Sequence, residues 1–315
     1  MLQQTRVETV ERYWTGFLAR FPDVGTLAAA DTDEVLAAWS GLGYYRRARL
    51  LHRGAQVVAA SFGAKLPTTA DGLREIPGIG PYTAGAIAAI AYDEPAPLVD
   101  GNVARVLSRL VAERDPKAQL ATAPWLWTAC AEILRHGSPR ILGQALMELG
   151  ATICTPRSPK CDACPLSHAC RANAEDATAE IPAVRERVAQ PTEQWWGVAI
   201  VHDGATLLVR REDTGLLARM WCLPLLPRSE SDEAPERAAI TTVTGAKLGA
   251  LRSAETPVVH VFTHRRWEVR VVVAKASRRV TSTTLSHAWL EPGARPPGGL
   301  PTLTRKLLSA AQATV

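Results

Sequence analysis

The chain has 315 residues, of which 47% are hydrophobic and 21% charged, a composition typical of a folded protein with apolar cores. This length favours two domains, and the formal net charge of +5 suits a polyanionic partner without establishing one. No apolar run approaches the roughly 20 residues that span a bilayer. The segment Met1–Arg6 lacks the apolar core of a signal peptide. We therefore expect a cytoplasmic protein without membrane association.

The first half of the sequence predicts helices almost throughout. From residue 7 to residue 21, apolar side chains recur every three or four positions, as they do in an amphipathic helix. Gly41, Leu42 and Gly43 interrupt the next helical run. Each predicted helix is bounded by Gly, Pro or Asp, residues that commonly end helices. The further predicted helices are 46–62, 70–75, 82–92, 103–112, 125–136 and 139–150.

Residues 73–85, Leu-Arg-Glu-Ile-Pro-Gly-Ile-Gly-Pro-Tyr-Thr-Ala-Gly, have the form of a helix-hairpin-helix motif. Gly78 and Gly80 allow the backbone to turn tightly and to approach a phosphate with no side chain between them. The N–H groups that open the next helix point at such a phosphate. Pro-Gly-Ile-Gly alone would also fit any turn between helices, but the two flanking helices favour the motif, which we place at about 73–92.

Asp100 lies 18 residues after Tyr82, in the run Leu98-Val99-Asp100-Gly101-Asn102-Val103, directly before a predicted helix. One interpretation is an N-cap, a common role for Asp at this place. The other is a carboxylate beside a scissile glycosidic bond, where it stabilises the cationic sugar of an oxocarbenium-like transition state. The hairpin, its spacing from Asp100 and the cysteine loop described next together favour the second interpretation.

Four of the six cysteines lie in one short, proline-punctuated loop. In a chain without an export signal, such a cluster indicates a metal rather than disulfides. Thiolates bind both iron–sulfur clusters and tetrahedral zinc, although zinc sites more often have two C-x2-C pairs and this loop has one. The sequence assigns no role to Cys130 and Cys222. The four clustered residues are Cys154, Cys161, Cys164 and Cys170.

The same loop carries Arg157 and Lys160 between its first two cysteines. A rigid loop that presents two cations is suited to contact a phosphate. Solvated charge on a surface loop is the alternative, and the sequence does not decide between them.

The second half of the sequence changes character after a connector. Residues 173–194 are rich in Ala, Glu, Pro, Arg and Gln and show no periodicity, as expected of a linker. Strands at 196–201 and 206–211 flank a hairpin turn, further strands are predicted at 258–262 and 267–273, and a helix at 302–311. We expect a helical domain over 1–172, with its cysteine loop at 154–170, and an α+β domain over 195–315.

These features together resemble the endonuclease III superfamily over nearly the whole chain, and within it the adenine DNA glycosylases. The second resemblance lies in the segments 1–7 (MLQQTRV), 41–45 (GLGYY) and 99–103 (VDGNV). It implies a multi-domain fold, in which an all-α helix-hairpin-helix glycosylase domain with an iron–sulfur loop precedes a Nudix-like α+β domain. It also implies that the four clustered cysteines hold a [4Fe-4S] cluster.

The resemblance further implies a reaction, the hydrolytic removal of adenine opposite 8-oxoguanine or guanine from double-stranded DNA. We expect the protein to act as a monomer. Asp100 would be the catalytic carboxylate, with Tyr82 and Asn102 supporting it by hydrogen bonds. Bifunctional relatives have a lysine at the position of Tyr82, which forms a Schiff base and cuts the strand. Tyr82 therefore predicts a monofunctional enzyme, and together with the second domain it disfavours a thymine or damaged-pyrimidine glycosylase/lyase.

Lesion contacts are implied for two segments near the start of the chain. The positions matching Gln4 and Thr5 contact the lesion pair in such enzymes, and those matching Leu42 and Tyr44 probe or wedge the base stack. An aromatic wedge lowers the cost of flipping a base out of the helix. Ordinary packing is the alternative for Tyr44, but the flanking glycines favour an exposed turn.

In the C-terminal part, Phe262-Thr263-His264 resembles the Phe-Ser-His loop with which the family reads 8-oxoguanine. Thr263 keeps the hydroxyl of the usual serine and adds a methyl group, and His264 alone would also fit an ordinary surface histidine. A working Nudix hydrolase should show an R-E-x-x-E-E cluster, whereas residues 229–239 contain only scattered acids. We do not expect pyrophosphate hydrolysis.

The family's general acid is a glutamate two residues before the position that matches Met1. It protonates the adenine ring, and losing a general acid costs about 10²–10⁴-fold in rate. Because Met1-Leu2-Gln3-Gln4 has no capping residue before it, we expect that the start was assigned too far downstream and that a longer protein carries the glutamate. The alternative is a lesion- or mismatch-binding protein with little or no excision.

Overall fold

The structure, a computed structural model, describes residues 1–183, 189–229, 231–281, 283 and 285–314. It divides into two compact units, one of Met1–Arg53 with Val188–Val315 and the other of Gly54–Arg187. The domain boundaries expected from the sequence stay a prediction, and residues 184–188 of the expected connector lie outside the described residues. Within the described part of the chain, no helix is long and apolar enough to cross a membrane.

Helices account for the regular structure up to residue 174. The predicted helices are confirmed to within a few residues, and the helical run expected before Gly41 consists of two short helices. Aspartates begin both of these, because Asp23 and Asp31 accept hydrogen bonds from the backbone N–H groups of Thr26 (2.6 Å) and Asp33 (2.7 Å). The helices are α1 (Val7–Arg20), α2 (Val24–Ala29), α3 (Thr32–Ala38), α4 (Tyr45–Ser61), α5 (Ala70–Arg74), α6 (Pro81–Tyr92), α7 (Gly101–Val111), α8 (Pro124–Leu134), α9 (Pro139–Glu148) and α10 (Arg171–Ala174).

Small residues on α6 let the segment before Asp100 pack closely against that helix. A Cβ added at Gly85 would lie 1.9 Å from the carbonyl oxygen of Pro97. Leu98 and Val99, which follow that carbonyl, are buried with apolar residues of α7, α8 and α9. The buried members of this cluster include Val103, Leu107, Leu126, Leu134 and Leu146. The packing fixes where the chain enters α7, and therefore where Asp100 lies.

The later part of the chain forms a mixed sheet. Its central strands β1 and β7 run parallel and in register from Thr192 opposite Arg266 to Val201 opposite Lys275. The other pairings are antiparallel, in the order β3-β2-β1-β7-β5, with β4 on β1, β6 on β7 and β8 on β2. The strands are β1 (Thr192–His202), β2 (Ala205–Arg210), β3 (Trp221–Cys222), β4 (Leu225–Pro227), β5 (Leu248–Ser253), β6 (Val258–Val261), β7 (Arg266–Ala276) and β8 (His287–Leu290).

One helix covers each face of this sheet. Side chains alternate between the two faces along each strand, so apolar residues have to be buried on both. Trp267, Val269 and Val271 pack on one face with Leu303 and Leu307 of α12 (Thr302–Gln312). Trp196, Val198 and Ile200 face the other side and pack with Ile240 of α11 (Arg237–Thr244). The expected fold class, helical in the first part and α+β in the second, is confirmed.

The N-terminal helices belong to the same compact unit as this sheet. Ser40 Oγ donates to the carbonyl of Leu300 (2.7 Å) and accepts from the N–H of Leu300 (3.2 Å). Arg210 forms an ion pair with Asp33 of α3 at 3.1 Å. Residues separated by more than 170 positions therefore join α3 to β2, and the turn after α3 to the segment before α12.

We predict that Gly85→Ala lowers the free energy of unfolding of the helical unit by about 1–3 kcal/mol or more, because the new methyl group overlaps the Pro97 carbonyl. Gly16→Ala is the matched control, since Gly16 lies inside α1 with no atom within 4 Å of the added Cβ. That change should raise stability by about 0.5–1 kcal/mol. Urea unfolding of both variants and of the wild-type protein measures the effect. A midpoint of Gly85→Ala equal to that of the wild-type protein would contradict the proposed close packing.

Candidate active site and cysteine loop

Asp100 is the N-cap of α7, and both oxygens of its carboxylate accept hydrogen bonds there. Oδ1 accepts hydrogen bonds from the backbone N–H groups of Asn102 and Val103, each at 2.8 Å. Oδ2 accepts from Asn102 Nδ2 at 3.0 Å. The residue is half-buried at the helix N-terminus, where backbone dipoles favour negative charge. Capping and a catalytic role are therefore compatible, because the cap fixes the direction in which the carboxylate faces.

Tyr82 lies on the first turn of α6 and is half-buried. Its hydroxyl donates to Met147 Sδ at 3.2 Å. Burial, and then the negative charge of Asp100, raise the pKa of Tyr82, so the phenol is neutral and lies in the electrostatic neighbourhood of that carboxylate. The hydrogen bond expected from Tyr82 to Asp100 stays a prediction, whereas Asn102 makes the contact expected of it.

Arg105 connects the start of α7 with the cysteine loop. Its buried guanidinium donates to Asn102 Oδ1 at 2.9 Å and to the carbonyl of Cys154 at 2.7 Å. It also donates to the carbonyl of Gly150 at 2.7 Å. A Cβ added at Gly150 would lie 2.7 Å from the Cβ of Asn102, so the backbone here approaches the asparagine closely. A continuous set of hydrogen bonds thus runs from Asp100 through Asn102 and Arg105 to Cys154.

Arg109 follows one helical turn later and is 1% exposed. It donates to Cys154 Sγ at 3.3 Å and to the carbonyls of Thr155 (2.8 Å), Pro156 (3.1 Å) and Ile181 (2.6 Å). A buried charge is tolerated when such donors are satisfied. Arg109 therefore fixes the first part of the cysteine loop against α7.

The sequence reasoning did not identify Arg105 and Arg109 as part of the site. Their spacing of four places both side chains on one face of α7. Apolar residues of the same helix, Val103, Val106 and Leu107, are buried as well. Two arginines four positions apart, on a helix otherwise rich in apolar residues, are the sequence pattern that could have indicated a buried role.

The four clustered cysteines are half-buried and line one cavity, together with Arg109 and Lys160. Burial, and then the neighbouring cysteines, raise the pKa of Cys161. Within the described ranges, no three His, Cys, Asp or Glu side chains converge on the point that a single ion would occupy; the four thiols instead surround a shared space. Four sulfur donors beside a buried cation fit an iron–sulfur cluster, whose irons offset the repulsion between thiolates.

The hairpin between α5 and α6 contains two glycines with different conformations. Gly78 has φ +89°, a left-handed conformation that favours glycine. Gly80 is the N-cap of α6 with φ −87°, which any residue adopts, and no atom lies within 4 Å of an added Cβ. The turn therefore depends on Gly78, while the missing side chain of Gly80 leaves the front of the helix open. Phosphate contacts by these glycines stay a prediction.

The lesion-contact residues predicted near the N-terminus differ in exposure. Tyr44 is 47% exposed with φ +49°, and Gln4 is also exposed with φ +56°. Thr5 Oγ1 accepts a hydrogen bond from Arg47. Leu42, in contrast, is 6% exposed and lies in the core, because Gly41 and Gly43 turn its side chain inward while Tyr44 faces out. Its predicted role is untested, and in this structure the side chain is not presented to solvent.

Thr263 and His264 are exposed on the turn between β6 and β7. Gln190 Nε2 donates to the carbonyls of Phe262 (3.3 Å) and Thr263 (2.9 Å). The Phe262 ring lies edge-on to Trp267, with centroids 5.0 Å apart. The turn is thus anchored at its base and open at its tip.

Arg157 and Lys160 are exposed on the cysteine loop. This exposure suits both interpretations of the two cations, and the phosphate contact stays a prediction.

Three family models match the chain. Residues 1–130 match the HhH-GPD superfamily base excision DNA repair protein, residues 154–170 the iron-sulfur binding domain of endonuclease III, and residues 195–310 the NUDIX domain. The cysteine loop is therefore an iron–sulfur binding domain, and the later part of the chain is Nudix-like.

Curated relatives are named adenine DNA glycosylase. The protein from Arabidopsis thaliana is 37% identical over 86% of this chain and 50% of its own length, and that from Homo sapiens is 34% identical over 92% and 62%. The protein from Mycolicibacterium smegmatis is 45% identical over 54% of this chain and 57% of its own length. The chain thus spans about half to two thirds of these relatives. Among solved structures, a thermostable thymine-DNA glycosylase is similar, with a TM-score of 0.50 and 25% identity over 55% of this chain and 80% of that one.

We predict that Arg109→Ala reduces the iron bound per chain at least twofold, because four acceptors on the loop and its surroundings lose their buried donor. Arg135→Ala is the matched control, since Arg135 is exposed and pairs with Glu132. Iron and sulfide analysis of the purified proteins measures the effect. An iron content equal to wild type in Arg109→Ala would show that the loop does not depend on this side chain.

Proposed function

We propose that the chain, which is similar to adenine DNA glycosylases and matches the HhH-GPD superfamily over residues 1–130, hydrolyses the N-glycosidic bond of adenine paired with 8-oxoguanine or guanine in double-stranded DNA. The observation that carries this proposal is the carboxylate of Asp100, held by three donors at the start of α7. In the proposed reaction the C1′–N9 bond breaks, the base leaves with the electron pair and takes up a proton, and water adds its oxygen to C1′ and gives up a proton, so that one water is consumed overall.

Asp100 stabilises the positive charge that develops on the sugar as this bond breaks. Its orientation is set in advance, because rotation of the carboxylate would break hydrogen bonds to Asn102 and Val103. Asn102 is in turn held by Arg105. In this proposal Asn102 and Arg105 act as positioning residues for Asp100.

Tyr82 supports a hydrolytic reaction without strand cleavage. A Schiff base requires a nucleophilic amine at this position, and the phenol of Tyr82 offers a neutral hydroxyl instead. We therefore propose that the product is an intact abasic site.

Recognition of the lesion pair is assigned to residues of the other compact unit. Tyr44 presents an exposed ring suited to stacking on a base, and Gln4 and Thr5 lie on the segment that this family uses near the lesion pair. Thr263 and His264 present a hydroxyl and an imidazole on an anchored turn, groups that suit hydrogen bonding to 8-oxoguanine.

The remaining predicted contacts are assigned to the DNA backbone. Gly78 and Gly80 would approach one phosphate at the front of α6, and Arg157 and Lys160 would bind another from the cysteine loop. Four thiolates of this loop would hold a [4Fe-4S] cluster, which would fix the loop and supply one-electron chemistry; they are Cys154, Cys161, Cys164 and Cys170. We propose that the protein acts as a monomer on chromosomal DNA.

We predict that Asp100→Asn lowers single-turnover adenine excision by about 10³-fold or more, because the transition state loses its counter-charge. Asn is also a good N-cap, so the fold should be kept. Asp31→Asn is the matched control, since Asp31 caps α3 and lies outside the site. The assay uses duplexes with A opposite 8-oxoguanine, A opposite G, and T opposite G.

Three outcomes of that assay separate the functions. Excision of A that is lost in Asp100→Asn and kept in Asp31→Asn supports the proposal. Tight lesion binding without excision by the wild-type protein would support a lesion sensor, and excision of T would contradict the adenine assignment.

We further predict that the excised DNA strand stays intact until it is heated in alkali. The physical reason is that Tyr82 has no amine with which to form a Schiff base. Denaturing gels with and without alkali measure this, and borohydride should trap no protein–DNA adduct. Strand cleavage without alkali would contradict the monofunctional assignment.

A further inference from the structure

One side chain, Arg47 on the first turn of α4, contacts both N-terminal segments proposed above to recognise the lesion. Its Nη1 donates to the carbonyls of Met1 (2.7 Å) and Gln3. Its Nη2 donates to Thr5 Oγ1 at 2.9 Å and to the carbonyl of Gly43 at 3.5 Å. The guanidinium therefore joins residues 1–5 to the turn at 41–44.

The same guanidinium lies against two aromatic rings. Its central carbon is 5.1 Å from the ring centroid of Tyr44 and 5.6 Å from that of Trp39. Trp39 Nε1 also donates to the carbonyl of Gly43 at 3.1 Å. Tyr44 is nevertheless 47% exposed, so the cation supports part of the ring and leaves the rest open to a base.

Both segments adopt backbone conformations that need support. Gln4 and Tyr44 have φ values of +56° and +49°, in the left-handed region that side-chain-bearing residues rarely adopt. Such conformations persist where surrounding contacts hold them, and they often occur at ligand-binding positions. The carbonyl of Gln3 and that of Gly43, each directly before one of these residues, accept from Arg47.

This arrangement requires the geometry of arginine. A guanidinium is planar, sends its donors in several fixed directions and stacks on aromatic faces, whereas an ammonium is a compact point charge. A lysine at position 47 would keep the charge and lose the simultaneous reach to both segments.

We propose that Arg47 is a positioning residue for lesion recognition, which sets Tyr44 and the segment Gln4–Thr5 in one fixed arrangement before DNA binds. The identity of the ligand rests on the proposed function. The arrangement of the two segments is independent of the proposed function, and it is measurable without DNA.

The first test is amide hydrogen exchange on the intact, cluster-containing protein. The backbone N–H of Thr5 donates to Leu2 and that of Leu42 to Trp39, so both amides report on the two segments. Arg47→Ala should raise their exchange rates at least tenfold, and Arg47→Lys should raise them as well. Arg46→Ala, an exposed neighbour on the same helix turn, should leave them unchanged. Amides of α7 and β7 report whether each variant is folded.

Should Arg47→Ala fail to fold, Arg47→Lys and Thr5→Val carry the same test, because Thr5→Val removes a single acceptor of Arg47. Unchanged exchange at Thr5 and Leu42 in a folded Arg47 variant would overturn the proposal.

The second test is the ratio of affinities for two duplexes, in which a non-cleavable adenine analogue lies opposite 8-oxoguanine or opposite guanine. Arg47→Ala should lower the preference for 8-oxoguanine at least fivefold, while Arg46→Ala changes both affinities by the same factor. An unchanged preference in a variant with raised exchange would overturn the recognition role. If the wild-type protein itself shows no preference, the proposed substrate is wrong, and the exchange test alone decides whether Arg47 positions the segments.

Discussion

The arrangement of the candidate active site depends on one helix, α7, and on what its first three turns bind. Asp100 caps the helix, Arg105 holds Asn102 and the carbonyl of Cys154, and Arg109 binds the thiol of Cys154. The candidate catalytic carboxylate and the cysteine loop are thereby attached to one rigid element. Buried guanidinium groups need all their partners, so the loop and the helix start form as one arrangement within this unit.

The two compact units separate the proposed chemistry from the proposed recognition. Asp100, Tyr82 and the cysteine loop lie in the unit Gly54–Arg187, whereas Tyr44 and His264 lie in the other. Helix propensity and apolar periodicity predicted most helices, because these are local properties of the sequence. The grouping of α3 with the sheet was not predictable in the same way, since it depends on distant contacts such as the ion pair between Arg210 and Asp33.

The candidate site shows the same contrast between local and distant causes. The spacing of the four cysteines and the Pro-Gly-Ile-Gly turn indicated their regions directly, because ligand spacing and turn chemistry are written in consecutive residues. The inward side chain of Leu42 and the contacts of Arg47 were not indicated, since both depend on how a glycine-flanked turn meets another segment. Arg105 and Arg109 were missed because a charged residue in a helix is ordinarily solvated.

The double role of Asp100 as cap and candidate catalyst has a consequence for the energetics of the site. A carboxylate on a mobile side chain has to reorient, with its hydration shell, as charge develops on the substrate. Here the helix start has already ordered it during folding, so little reorganisation free energy is left for the chemical step. Fluctuations that open the first turn of α7 would therefore release the orientation of the Asp100 carboxylate before they affected the rest of the helix.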